Sequence, residues 1–393
     1  MKLIKKILKK VFRKKFIKNF RKFCNEKNGH ALLYYKTDYF LFNGALEDRS
    51  HTNEWESYEI ARILNKLGFW VDIADRTINL KDIEKIKDKY EIFIGIGAGD
   101  SGRYFKNIAS KLNSAVRVLY ALGPEPNLSN KITKERHNFF LQRHPGTDIE
   151  VRRLIKEVDI DDSIRFVDAI ITNCNEWGIE GYKKFEKAIK RVWLSSYPKL
   201  NSSCNEIFKK DQKKFMYFGG NGNITKGLDL IIESFVNLPE LELYIGAPKS
   251  EEDFNLIYKP ILEKAKNIHF IGFMDVKSNL YRKITSECGY VILPSSSEGC
   301  ATSVTTCMRR GLIPVVTKEA GVDIGNFGYN IEDININKIE ERVREIANSN
   351  REEFIKRSFG AYIESFKYTQ ANFSFTFERA LLETILDNKI YAK

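Results

Sequence analysis

Two short loops carry the residues whose types and spacing could do chemistry. Residues 218–227 read FGGNGNITKG: Gly219, Gly220 and Gly222 flank Asn221, and Lys226 stands just before Gly227. Glycines let an anion come close to backbone N–H groups, and a lysine at a helix entry supplies a mobile cation. The pattern is not GxxxxGK followed by Ser or Thr, so a P-loop of the NTPase type is excluded. Residues 294–306 read PSSSEGCATSVTT, with the lone acid Glu298 between Ser297 and Gly299. A helix beginning near residues 300–303 would turn its free N–H groups back toward that loop. Its start, with Thr302 and Ser303, suits a phosphate, while the carboxylate suits hydroxyl groups. The ligand implied is anionic at one end and rich in hydroxyls at the other. Taken singly, Lys226 reads equally well as an exposed helix-start lysine, and Glu298 as an acid favoured by the helix dipole. The dipole does not account for the small-residue loop before Glu298 or for the paired Lys-Gly motif.

The elements around these loops alternate. After the polar stretch 195–205 (SSYPKLNSSCN), a plausible linker, come KFMYFGG as a strand, ITKGLDLIIESFVNL as a helix and LELYIGAP as a strand. Further helices and strands lead to CGYVILPSS, the helix CATSVTTCMRRG and the strand LIPVVT. The N-terminal half alternates in the same way, from HALLYYK through ESYEIARILNKLGF, WVDIA, EIFIGIGAG and AVRVLYAL to VDAIITNC. This order implies two doubly wound α/β domains with parallel sheets, whose ligands lie beyond the carboxyl ends of strands.

Residues 215–330 resemble the donor domain of family 4 glycosyltransferases, and the N-terminal half resembles that family by architecture. The family's usual motif is a glutamate, a glycine, a helix and a second glutamate eight residues on; here Glu298 and Gly299 match, and the eighth position is Thr306. Many members carry an arginine directly after the first glycine of the other loop, where this chain has Gly220. The resemblance implies two Rossmann-like domains facing a cleft (GT-B) and transfer from a UDP- or GDP-sugar with retained anomeric configuration. In it, Lys226 and the glycine loop would neutralise the diphosphate, Glu298 would orient the sugar, and Thr306 would stand at the ribose end. No cofactor and no metal are expected, since no DxD pair stands at a plausible site. Residues 29–198 would form the acceptor-side domain and 206–372 the donor domain, with 373–393 a helix crossing back to the first.

Acceptor-side candidates are weaker. Residues 42–53 (FNGALEDRSHTN) offer His51 as a contact or base, 95–103 (GIGAGDSGR) offer Asp100, and 123–127 (GPEPN) form a third strand-end loop. Both His51 and Asp100 read more readily as surface or capping residues. Asn175 and Glu176 resemble the segment near the family's interdomain cleft and also fit a helix N-cap.

Charge is uneven. Residues 1–23 hold eleven Lys or Arg and no acid, so of a net +12 about +1 is left for the rest. Apolar residues in this arm recur at helical spacing, which predicts a basic amphipathic helix over 1–28 lying on an anionic membrane surface. That would place the protein in the cytoplasm, at the inner face of the membrane, with a lipid-linked or cell-surface glycan acceptor. The nearly neutral body argues against nucleic acid, because it extends no phosphate-tracking patch. The six cysteines are scattered, without a CxxC pair, as expected for reduced thiols. Two other readings stay open: a catalytically inactive GT-B protein serving as a membrane-bound partner subunit, and a partner- or nucleic-acid-binding protein that uses the arm.

Overall fold

The computed structural model describes residues 15–41, 52–97, 102–155, 163–197 and 204–388. The first sheet contains β1 (Phe16–Phe20), β2 (Gly29–Tyr35), β3 (Phe69–Asp75), β4 (Ile92–Gly95), β5 (Val116–Ala121), β6 (Ala169–Thr172) and β7 (Ala188–Arg191), in the order β1-β3-β2-β4-β5-β6-β7. Pairings from β3 through β7 are parallel. Side chains of β2 alternate between two cores: Ala31, Leu33 and Tyr35 face one, Leu32 and Tyr34 the other. Both faces of the sheet are therefore covered, as a crossover-connected parallel sheet requires. The second sheet contains β8 (Asp211–Phe218), β9 (Glu242–Gly246), β10 (Ile268–Phe270), β11 (Cys288–Leu293), β12 (Ile313–Val316) and β13 (Tyr329–Asn330). Its order is β10-β9-β8-β11-β12-β13, parallel throughout.

One expectation is corrected. Residues 16–20 are not part of a helix; they form strand β1, antiparallel to β3, with Phe16 opposite Ala74 and Phe20 opposite Val71. Residues 1–14 lie outside the described residues. A register shift between Ile17 and Phe20, with Asn19 at φ 52°, lets Ile17 and Phe20 face one core while Phe16 faces the other. The apolar spacing fits a helix stripe as well as a bulged strand. The unpaired edge of β3 decides between them, because its N–H and C=O groups need partners.

Two segments cross between the domains. The C-terminal helix Gln370–Asp387 buries Phe373, Phe377, Leu381 and Ile385 in the first domain's core. The helix Pro126–Arg143, hereafter the bridging helix, follows β5 but packs on the second domain, and Phe140 lies within that domain's core. The start of the linker is also tied down. Ser195 bonds to the Glu56 carboxylate through its N–H and its hydroxyl, and Ser196 bonds to the Tyr368 carbonyl.

Candidate active site

Strands β8 and β11 are neighbours at the point where the chain order of the second sheet reverses. Their carboxyl-end loops therefore diverge around a crevice, the usual ligand position in such sheets. The loop after β8 carries Lys226 and the loop after β11 carries Glu298, and Lys226 Nζ bonds to Glu298 Oε1. Lys226 is buried and Glu298 nearly so, with side chains 8% and 13% exposed. Burial alone would raise the Glu298 carboxyl, but Arg153 and Lys226 together hold it below the ordinary carboxylate value. Burial, opposed by Glu298 and aided by the like charge of Arg153, lowers the Lys226 ammonium.

Arg153 comes from residues 147–155, a strap that follows the bridging helix across the second domain. Its Nη2 lies 3.3 Å from Glu298 Oε2. Arg152 fixes the strap: its guanidinium donates to Asp253 at 2.8 Å, and its carbonyl accepts from the Thr225 hydroxyl at 3.3 Å. The bridging helix is pinned close by. Buried Arg136 donates to the Pro294 carbonyl at 2.7 Å, Ser129 and Ser297 hydroxyls lie 2.7 Å apart, and Arg143 pairs with Asp229 and Glu233.

A cavity of about 390 Å³ opens beside this cluster, between the domains. Ser297, Glu298 and Gly299 line one side with Arg153. Tyr35, Lys36, Arg76, Gly97, Tyr120 and Gly123 line the other, from the carboxyl ends of the first domain's strands. Behind Tyr120 lies the buried Glu56, which accepts from the tyrosine hydroxyl at 3.2 Å; burial raises its carboxyl. The wall is thus cationic next to a single carboxylate, with aromatic and glycine surface opposite. Such a cavity can hold an anionic group against Arg153, with Lys226 just behind Glu298, while hydroxyls reach Glu298.

Residues 203–358 match the family model for glycosyl transferases group 1. The match falls within the second domain, and the chain has the GT-B fold. Among solved structures, a pneumococcal O-GlcNAc transferase, GtfA, in complex with UDP and GlcNAc is similar over 85% of this chain and 60% of its own, with TM-score 0.51 and 13% identity. HepE of Anabaena in complex with UDP and glucose is similar over 91% of this chain and 100% of its own, with TM-score 0.57 and 11% identity. The N-terminal domain of a Candida albicans trehalose-6-phosphate phosphatase covers 94% of this chain and 100% of its own, with TM-score 0.59 and 10% identity. The chain spans 60%, 54% and 59% of the lengths of GtfA, TarM and a chain of the GtfA/B complex. No curated protein matches the sequence.

Within the second domain, the sequence-derived residues fall into three groups. Lys226 and Glu298 meet directly, and Ser297 and Gly299 share the Glu298 side of the cavity. The glycine loop is partly committed to the protein itself. Gly219 N–H bonds to Gly246, while the N–H groups of Gly222 and Asn223 both donate to buried Glu251. Gly220 is exposed, and Asn221 accepts from Ser250 at 3.1 Å. Gly222 instead contributes space: its φ is 93°, and a Cβ there would lie 2.4 Å from Arg153 Cδ. Gly299 likewise admits protein, since its Cβ would lie 2.3 Å from the Leu122 carbonyl oxygen of the other domain. Thr302 and Ser303 open the short helix Thr302–Met308, and Thr306 is 3% exposed within it, away from the cavity lining.

His51 and Asp100 lie outside the described residues. Asn175 caps its helix through Gly178 N–H and also donates to the Lys318 carbonyl across the domain interface, at 3.0 Å. Sequence reasoning missed Lys36, Arg76 and Arg153. Lys36 and Arg76 directly follow β2 and β3, so the carboxyl-end rule was a signal for them. Arg153 had no comparable signal.

Proposed function

We propose that the protein transfers a sugar from a nucleotide diphosphate sugar, a UDP- or GDP-sugar, to an acceptor hydroxyl of a glycan or lipid-linked glycan. The observation that carries this reading is the buried pairing of Lys226 with Glu298 at the switch point of a group 1 glycosyltransferase domain. Two of the similar structures hold UDP with GlcNAc or glucose, which supports the donor class. Lys226 neutralises charge that develops on the leaving diphosphate, a contribution that grows toward the transition state. Glu298 accepts from hydroxyls of the transferred sugar and fixes its orientation. With cationic side chains in that place, the reaction runs without a metal and, by resemblance to family 4, with retention.

The acceptor enters from the first domain, past Lys36, Arg76 and Tyr120. Residues 1–14 continue the basic arm and suit an anionic surface at the inner face of the cytoplasmic membrane. Among the described residues no helix is long and apolar enough to cross a membrane. Incubating the full chain with UDP- and GDP-sugars and following release of the free nucleotide tests the reading. Turnover that disappears in Lys226→Ala and Glu298→Ala is expected. Absence of both turnover and a donor-induced thermal shift refutes it. Turnover absent but donor binding present selects a catalytically inactive partner subunit, a reading that the burial of Thr306 favours.

A further inference from the structure

Two cations share one carboxylate in this site, and only one of them belongs to the glycine loop. The loop has no other cationic side chain: residues 219–225 read GGNGNIT. A diphosphate carries two or more negative charges, so one buried lysine leaves it short of counter-charge. The second cation at hand is Arg153. Three features aim its side chain at the cluster. Its backbone is held at φ 66°, a region non-glycine residues seldom occupy and that tends to persist where surrounding contacts dictate it. The residue before it is fixed to Asp253, to Glu251 at 3.8 Å and to the Thr225 hydroxyl, all on the second domain. And the path of its side chain crosses the gap left by the missing Cβ of Gly222. A guanidinium so placed can offer two parallel N–H donors to phosphate oxygens, which an ammonium cannot.

We infer that Arg153 is the second diphosphate-binding cation of this site, reaching the glycine loop from a first-domain segment laid across the second domain. On donor binding its guanidinium exchanges Glu298 for the diphosphate, while sugar hydroxyls take its place on the carboxylate. This rests on the glycosyltransferase reading above. Arg153 thereby couples the two ends of the donor: the sugar frees the cation that the diphosphate needs.

Calorimetric titration of the full chain with UDP and UMP, with GDP and ADP as further probes, tests the assignment. Arg153→Ala should weaken UDP by about tenfold or more and leave UMP nearly unchanged, so that the UDP-to-UMP affinity ratio collapses. Arg153→Lys should restore the ratio only in part. Melting of the free variants reports folding, and the lysine variant keeps the test intact if the alanine variant is unstable. An unchanged ratio in Arg153→Ala overturns the inference while leaving the donor reading standing. Equal loss of UDP and UMP also overturns it, because a purely structural arginine would act that way. Wild-type protein that binds none of the nucleotides takes down both readings together.

Discussion

Replacing Glu298 by Gln isolates the charge logic of the site. The change keeps the shape of the side chain and removes the anion shared by Lys226 and Arg153. Lys226 is 8% exposed and cannot easily turn to water, whereas Arg153 is 37% exposed and can. Removing one member of a buried pair costs about 3–5 kcal/mol, and the mobility of Arg153 puts this case near 3 kcal/mol. The free protein should lose about that much stability to urea. The loss should shrink in acid. The Glu298 carboxyl is held low in the folded state, so its contribution is present above the unfolded-state value and fades as pH falls through the folded one. Part of the destabilisation returns when an anion takes the carboxylate's place. If half returns, about 1.5 kcal/mol, UDP binds Glu298→Gln roughly tenfold more tightly than wild type. UDP-glucose should lose most of its advantage over UDP, because hydroxyl bonds to a charged acceptor are worth about 1.5–3 kcal/mol. Titration calorimetry with both ligands reads the crossing of the two affinities. Weaker UDP binding, comparable to that of Lys226→Ala, would refute the reasoning, since Glu298 would then be building the anion site instead of competing with it.

Three further outcomes follow from the packing. Burial lowers the Lys210 ammonium to about 7, and its Nζ donates to the Cys288 carbonyl at 3.2 Å. The unfolded chain keeps that proton to about pH 10.4, so wild-type stability should climb between pH 7 and 10 by on the order of 4 kcal/mol; Lys210→Met should abolish the climb in paired urea titrations. Deleting residues 1–23 removes β1 and bares the β3 edge, and should lower the thermal midpoint. Deleting residues 1–14 should leave the midpoint alone while reducing flotation with anionic vesicles; the reverse pattern would contradict the strand. Gly299→Ala sets a Cβ 2.3 Å from Leu122 O and 2.8 Å from Leu122 C, both backbone atoms, so the domains must part by about 1 Å. A cost of about 1–3 kcal/mol and faster amide exchange around residues 122 and 299 are expected.

What was legible in the sequence, and what was not, follows from distance along the chain. Lys226 and Glu298 were readable because each sits directly after a strand, and β8 and β11 become neighbours through the ordinary winding of such sheets. Arg153 was not, because it is 145 residues from its partner and no element period points it there. Its placement depends on the bridging helix settling on the second domain, and on Arg152 finding Asp253. The residues 16–20 misled because Phe16, Ile17 and Phe20 satisfy two periodicities, and a tertiary edge made the choice. The glycines misled in part as well. Gly222 and Gly299 mark close approach, as glycines in such loops suggest, but what approaches is Arg153 and Leu122.

The bridging helix and strap also change where the working unit ends. By chain order, residues 126–155 belong to the first domain, between β5 and β6. By packing, Phe140 sits in the second domain's core, Arg136 and Arg143 bond to Pro294, Asp229 and Glu233, and Arg152 bonds to Asp253. Arg143 pairs with the fully buried Asp229, and such a pair costs about 3–5 kcal/mol to break one partner at a time, so this segment moves with the second domain when the domains shift. Arg153 therefore needs no domain closure to meet Lys226; both cations are in place before a donor arrives. What closure can add is the opposite wall, Lys36, Arg76 and Tyr120, which belongs to the first sheet and faces Glu298 across the cavity. On the proposed function, donor recognition is then a property of the second domain with its borrowed segment, and acceptor recognition a property of the gap. Substitutions at Arg153 should act on donor affinity, while those at Lys36 or Arg76 should act on acceptor dependence.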